Sequence, residues 1–138
     1  MTGTPASSTA VAGHYPALAR LMAAVTDVWP EHQAFLSKSL EPRSPAVMAT
    51  SDRMAAAVLD LAGEGVREHA LDYRWLCDQI REEELSFVRT GRYRFSTFAE
   101  TNAHVYSDPE FMKRYMHGLL YSHVLWFMHI SSLHFFSQ

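Results

Sequence analysis

Two groups of residues in this chain have the types and spacing to do chemistry. The first is the pair Glu83 and Glu84, followed by Arg89, Arg92 and Arg94, with Tyr93 between the last two arginines and Phe95 just after them. A carboxylate on an apolar face must be paired or take up a proton, which makes Glu83 or Glu84 an acid–base candidate. Arginine suits bidentate pairing with a carboxylate, of the protein or of a ligand. Three readings of this region stay open: an internal ion pair that fixes the turn after Gly91, an anion or substrate-carboxylate contact near Arg92–Arg94, or a solvated charge run.

The second group is four histidines, His117, His123, His129 and His134, in the run HGLLYSHVLWFMHISSLHFF. On one straight helix, at about 100° per residue, the first three point in different directions. His123 and His134 align, but lie roughly 16 Å apart along the axis. No two could chelate one ion from this helix alone, so no metal site is expected, although a single axial haem ligand stays open. The plainer role is a set of partnered polar groups in a core or interface. His123 is the histidine assigned an acid–base role beside the glutamates.

The elements that must position these residues read as helices. Leu18, Leu21, Met22, Val25 and Val28 form a first stripe, and Pro30 opens a short helix carrying Phe35 and Leu36. Ser44-Pro45 reads as N-cap and first turn of a helix with the stripe Val47, Met54, Val58 and Leu61, stopped by Gly63. A long helix is predicted from Val66 to Thr90, closed by Gly91. Its stripe runs through Tyr73, Leu76, Cys77, Ile80, Phe87 and Val88, and passes Glu83 and Glu84 on the way. Thr97-Phe-Ala-Glu100 reads as a short capped helix, and Ser107-Asp108-Pro109-Glu110 as the start of a long buried C-terminal helix. Strand signals are almost absent. The expected fold is all-α, a single domain of about six helices over residues 14–138, behind a flexible tail of residues 1–13.

Bulk composition narrows the function. Net charge is −3, which argues against a nucleic-acid surface. One cysteine, Cys77, excludes an internal disulfide framework and suits a reducing cytoplasm. No signal-peptide pattern opens the chain. After Arg114 no charged residue follows for 24 positions, but ten of these are His, Ser, Gly or Gln. Four histidines and four serines would be costly in lipid, so a buried helix is expected there and no membrane span. Its uncapped, uncharged end predicts a cover: a second subunit, or a domain beyond this chain.

The residues from Asp72 to Phe136 resemble the N-terminal helical region of bacterial class I S-adenosylmethionine-dependent methyltransferases of natural-product pathways. The pieces that carry the likeness are EEEL-F-RTGRYR-STFAE and VY-DP-M-YM-GLL-S-LW-H. The resemblance implies a helical region that covers a substrate pocket, often helps build a dimer, and precedes a Rossmann-like cofactor domain. It places Glu83, Glu84, Arg89, Arg92, Tyr93, Arg94, His117, His123, Trp126 and His129 on matching positions. With Glu83, Glu84 and His123 taken as the catalytic candidates, the other seven are the implied substrate contacts.

The departure from the family is large. A cofactor domain needs a strand followed by a glycine-rich turn. The one GxG here, Gly63-Glu64-Gly65, follows a helix and reads as a cap and turn. This chain alone is therefore not expected to bind S-adenosylmethionine. The leading expectation is an accessory or substrate-lid domain or subunit of a methyltransferase-like enzyme, a fragment or one half of a split enzyme, with a Rossmann-type catalytic partner or as a homodimer. The alternatives are a stand-alone small helical enzyme or ligand-binding protein, and a non-catalytic helical homodimer.

Overall fold

A computed structural model describes residues 8–92, 103 and 106–138. Its helices are α1 (Ser8–His14), α2 (Pro16–Val28), α3 (Gln33–Leu40), α4 (Pro45–Ala62), α5 (Val66–Thr90), α6 (Pro109–Leu125) and α7 (Phe127–Phe136), with 3-10 turns at Pro30–His32 and Gly63–Gly65. No strand occurs among the described residues, and the chain is an all-α single domain. The short helix expected at Thr97–Glu100 lies outside the described residues. The expected flexible tail overlaps α1: residues 8–13 are helical, and Val11 is buried in the core.

Local chemistry sets several helix ends. The Ser44 hydroxyl accepts the Val47 N–H, and Asp108 accepts from the N–H groups of Glu110 and Phe111, each ahead of a proline in the first turn. Gly91 closes α5 in the left-handed region at φ 72°, where a side chain would be strained, and its N–H bonds the Phe87 carbonyl. The start of α2 is capped from far away. Tyr15 gives no side-chain cap, and Asp52 of α4 accepts from the N–H groups of Ala17 and Leu18 at 2.9 and 3.0 Å.

That long-range cap shifts the inward face of α4. The expected stripe contributes Val58 alone to the buried set, which otherwise comprises Met48, Thr50, Ser51, Ala55 and Leu59, while Leu61 is 72% exposed. Small polar side chains face inward here because they serve distant groups: Thr50 meets His134 of α7, and Ser51 accepts from Arg43. Its guanidinium is buried with no carboxylate partner among the described residues, and donates to the Ser39 carbonyl and hydroxyl, the Ser51 hydroxyl and the Leu125 carbonyl. Burial lowers its pKa to about 10, which leaves it charged at neutral pH.

The core joins Leu18, Leu21 and Val25 of α2 to Ala55 and Val58 of α4, Ala70 and Tyr73 of α5, and Tyr121 and Val124 of α6. α6 crosses the first half of α5 closely. A Cβ on Gly118 would stand 2.8 Å from the Leu76 Cβ and 3.1 Å from the Asp72 carbonyl, so glycine alone fits this crossing. The second half of α5 departs from expectation: Ile80, Phe87 and Val88 of the expected stripe are exposed, as is Leu85.

The predicted long C-terminal helix is broken. Trp126 adopts an extended conformation, φ −95° and ψ 123°, between α6 and α7. The Leu125 carbonyl at the break is held by the Ser39 hydroxyl at 2.6 Å and by Arg43 at 3.1 Å. The break turns the Trp126 indole toward Tyr73 of α5, whose hydroxyl accepts its N–H at 3.0 Å. No helix among the described residues is long and apolar enough to cross a membrane.

Candidate functional site

Trp29, His32 and Phe35 lie three residues apart across the 3-10 turn and the start of α3, where such spacing stacks side chains on one face. Their rings do stack: Trp29 on His32 at 4.0 Å between centroids, and His32 on Phe35 at 4.6 Å. Across from this stack stand the Trp126 indole and the α5 residues Cys77 and Ile80. Between them is a cavity of about 240 Å³, bordered on α5 by the charged side chains of Asp78, Arg81 and Glu84.

Three polar groups of the aromatic wall bond one another. His32 Nε2 and the Tyr73 hydroxyl are 2.7 Å apart. Burial pushes His32 down to about 4, so the ring is neutral at pH 7. Burial also raises Tyr73 far above the usual phenol range. A neutral imidazole and a protonated phenol order the bonds in one direction: Trp126 N–H donates to the Tyr73 oxygen, and Tyr73 O–H donates to His32 Nε2. Cys77 is pushed up to about 11 by burial, against the pull of the Tyr73 hydroxyl. Its thiol stays protonated, so the cavity offers no thiolate nucleophile.

Of the residues assigned a role from sequence, the structure brings Glu84 and Trp126 together in this cavity. Glu83 is partly buried beside it in the chain, and Glu84 is exposed. Arg89 and Arg92 lie exposed at the end of α5, with Arg89 Nε on the Leu85 carbonyl at 3.4 Å and the Arg92 N–H on the Thr90 hydroxyl at 3.3 Å. Tyr93 and Arg94 lie outside the described residues.

The histidines separate. His117 Nδ1 bonds the buried Asp72 carboxylate at 2.7 Å, beside Arg114 at 3.3 Å, and its ring stacks on His69 at 3.5 Å. Burial lowers the His69 pKa, and the neighbouring His117 lowers it further. The other pair forms at the helix break. His123 and His129, which an unbroken helix would turn apart, have ring centroids 5.3 Å apart. Burial, and then His129, lower the His123 pKa. His129 Nδ1 is 3.2 Å from the Ser122 hydroxyl, which itself donates to the Leu119 carbonyl. His134 meets Thr50 at 2.8 Å. No group of three or more His, Cys, Asp or Glu side chains that could hold a metal ion occurs among the described residues.

Sequence reasoning missed Trp29 and His32 and used Phe35 and Tyr73 only as stripe residues. The spacing of three in WPEHQAF was a usable signal, since it marks an aromatic face. The Tyr73–His32 bond had no local sign, because its partners are 41 residues apart.

No protein-family model, curated protein or solved structure matches this chain.

Proposed function

We propose that this chain is the substrate-holding helical domain of a methyltransferase-like enzyme of secondary metabolism, working with a Rossmann-type partner that binds S-adenosylmethionine. The observation that carries the substrate half of this reading is the cavity between the Trp29–His32–Phe35 stack and Trp126. A concave, mostly apolar site with aromatic walls and a few charged groups at its border suits a small organic ligand. The Trp126–Tyr73–His32 chain fixes the ring positions without leaving a buried donor or acceptor idle, so the wall is shaped before a ligand arrives.

The methyl-transfer half is supported by the resemblance over Asp72–Phe136, which spans Glu84, Trp126 and the helix break. S-adenosylmethionine on the partner would supply the methyl group. The residues of this chain would hold the acceptor in line and keep water from it. Met128, Phe135 and Phe136 of α7 are 73%, 73% and 81% exposed, and are the apolar surface on offer to that partner.

The test is native mass spectrometry of the chain with a co-encoded Rossmann-type protein, followed by transfer of radiolabelled methyl from S-adenosylmethionine to an aromatic acceptor. A hetero-complex is expected, with transfer lost in Trp126→Ala and the complex kept. A chain that forms no such complex and supports no transfer would overturn the reading.

A further inference from the structure

The cavity differs sharply between its interior and its border. Inside, Trp29, Phe35, Trp126 and Ile80 present apolar surface, while the Trp126 N–H is spent on Tyr73 and the Tyr73 O–H on His32. The interior therefore suits a flat apolar body and offers little to a polar one. Its volume, about 240 Å³, is below the range of roughly 300–1,000 Å³ common for drug-sized ligands, which points to one ring or a fused pair.

The border carries charges of both signs in a fixed order. Asp78, Arg81 and Glu84 are exposed and recur every three residues on α5, so each neighbours the next along the helix surface. One guanidinium thus stands between two carboxylates. A guanidinium binds a carboxylate through two parallel hydrogen bonds, and a carboxylate binds an ammonium. A ligand with only one charge would face a like charge at the border as well as a complementary one. A ligand carrying both charged groups on one carbon meets both.

We infer that the cavity binds a free aromatic amino acid, with its ring between the Trp29–His32–Phe35 stack and Trp126, its carboxylate on Arg81 and its ammonium on Glu84 and Asp78. This inference rests on reading the cavity as the substrate site, and it names the class of substrate.

The test is calorimetry on the full chain with four matched probes: L-tryptophan, tryptamine, indole-3-propionate and 3-methylindole. L-tryptophan should bind most tightly. Arg81→Gln should weaken L-tryptophan and indole-3-propionate about tenfold and leave tryptamine within about threefold. Glu84→Gln should do the reverse, weakening L-tryptophan and tryptamine. If all four probes bind within threefold of one another, or neither variant discriminates between them, the amino-acid assignment is wrong and the cavity is an apolar site only. If no probe binds, the reading of the cavity as a substrate site fails with it.

Discussion

Ala70, Tyr73 and Leu76 in the first half of α5 are buried, whereas Ile80, Leu85, Phe87 and Val88 in the second half are 37%, 51%, 40% and 81% exposed. Both halves belong to one unbroken helix, and apolar residues recur along both. The difference is the neighbour. α6 crosses the first half at Gly118, and the described core does not extend past it. Periodicity tells which face of a helix is apolar, but not how far along that face a partner reaches. The candidate cavity sits at the seam, with Cys77 on its buried side and Glu84 on its exposed side. The cavity there takes Trp29 and Trp126 from rings packed against the core and its charges from the surface.

The sharpest way to break this comparison is to truncate a side chain in each half. Tyr73→Ala removes a fully buried ring and both of its hydrogen bonds, and should cost about 3–5 kcal/mol. Val88→Ala should change stability by less than about 0.5 kcal/mol. Urea unfolding midpoints of the two variants measure this, and similar losses would mean that the second half of α5 is covered as well as the first.

Next in size is a pH effect confined to the buried side of the seam. His32 titrates near 6.5 when unfolded and near 4 when folded, because burial disfavours its charge. Between those values the unfolded chain binds more protons, so stability rises with pH. The contribution is fully present above about pH 6.5 and is lost as pH falls toward 4. A shift of that size is worth at most about 3 kcal/mol. His32→Gln should flatten the stability profile over that window relative to the wild type, and parallel profiles would show that His32 is not held neutral.

The close crossing of α5 and α6 gives a third comparison. Gly118→Ala places a methyl group 2.8 Å from Leu76 Cβ and 3.1 Å from a backbone oxygen, neither of which is the end of a flexible side chain. The helices must part, at a cost of about 1–3 kcal/mol. The matched change Gly13→Ala meets nothing within 4 Å and should escape that penalty. Thermal unfolding of both variants decides whether the crossing is as tight as the geometry requires.

What could be read from sequence follows the same division between local and distant causes. The spans of α4 and α5 were legible because Ser44, Pro45, Gly63 and Gly91 act on their own helix ends. The break at Trp126 was not, since no glycine or proline marks it. The carbonyl at that break is held by Ser39 and Arg43, more than 80 residues away in sequence. The histidine geometry changed with it, because the angles assumed a straight helix. The inward face of α4 was misjudged for a similar reason: Asp52 serves the start of α2, and Ser51 serves Arg43. In the cavity, Glu84 and the Trp29–His32–Phe35 spacing are local features, but the bonds that join His32, Tyr73 and Trp126 span 41 and 53 residues.

The smallest expected effect bears most directly on function. Glu84 is exposed, so Glu84→Gln should alter stability by less than about 0.5 kcal/mol. A core position cannot combine a large effect on binding with none on folding, because its packing serves both. A border position can, because its charge is solvated until a ligand displaces the water. Urea midpoints and ligand titrations on the same Glu84→Gln sample therefore test the seam itself. Unchanged stability with weakened ammonium binding would set Glu84 on the functional side. A loss of stability matching that expected at Tyr73 would instead tie Glu84 to the packed half of α5, and the contrast between the two halves would have to be redrawn one turn further along the helix.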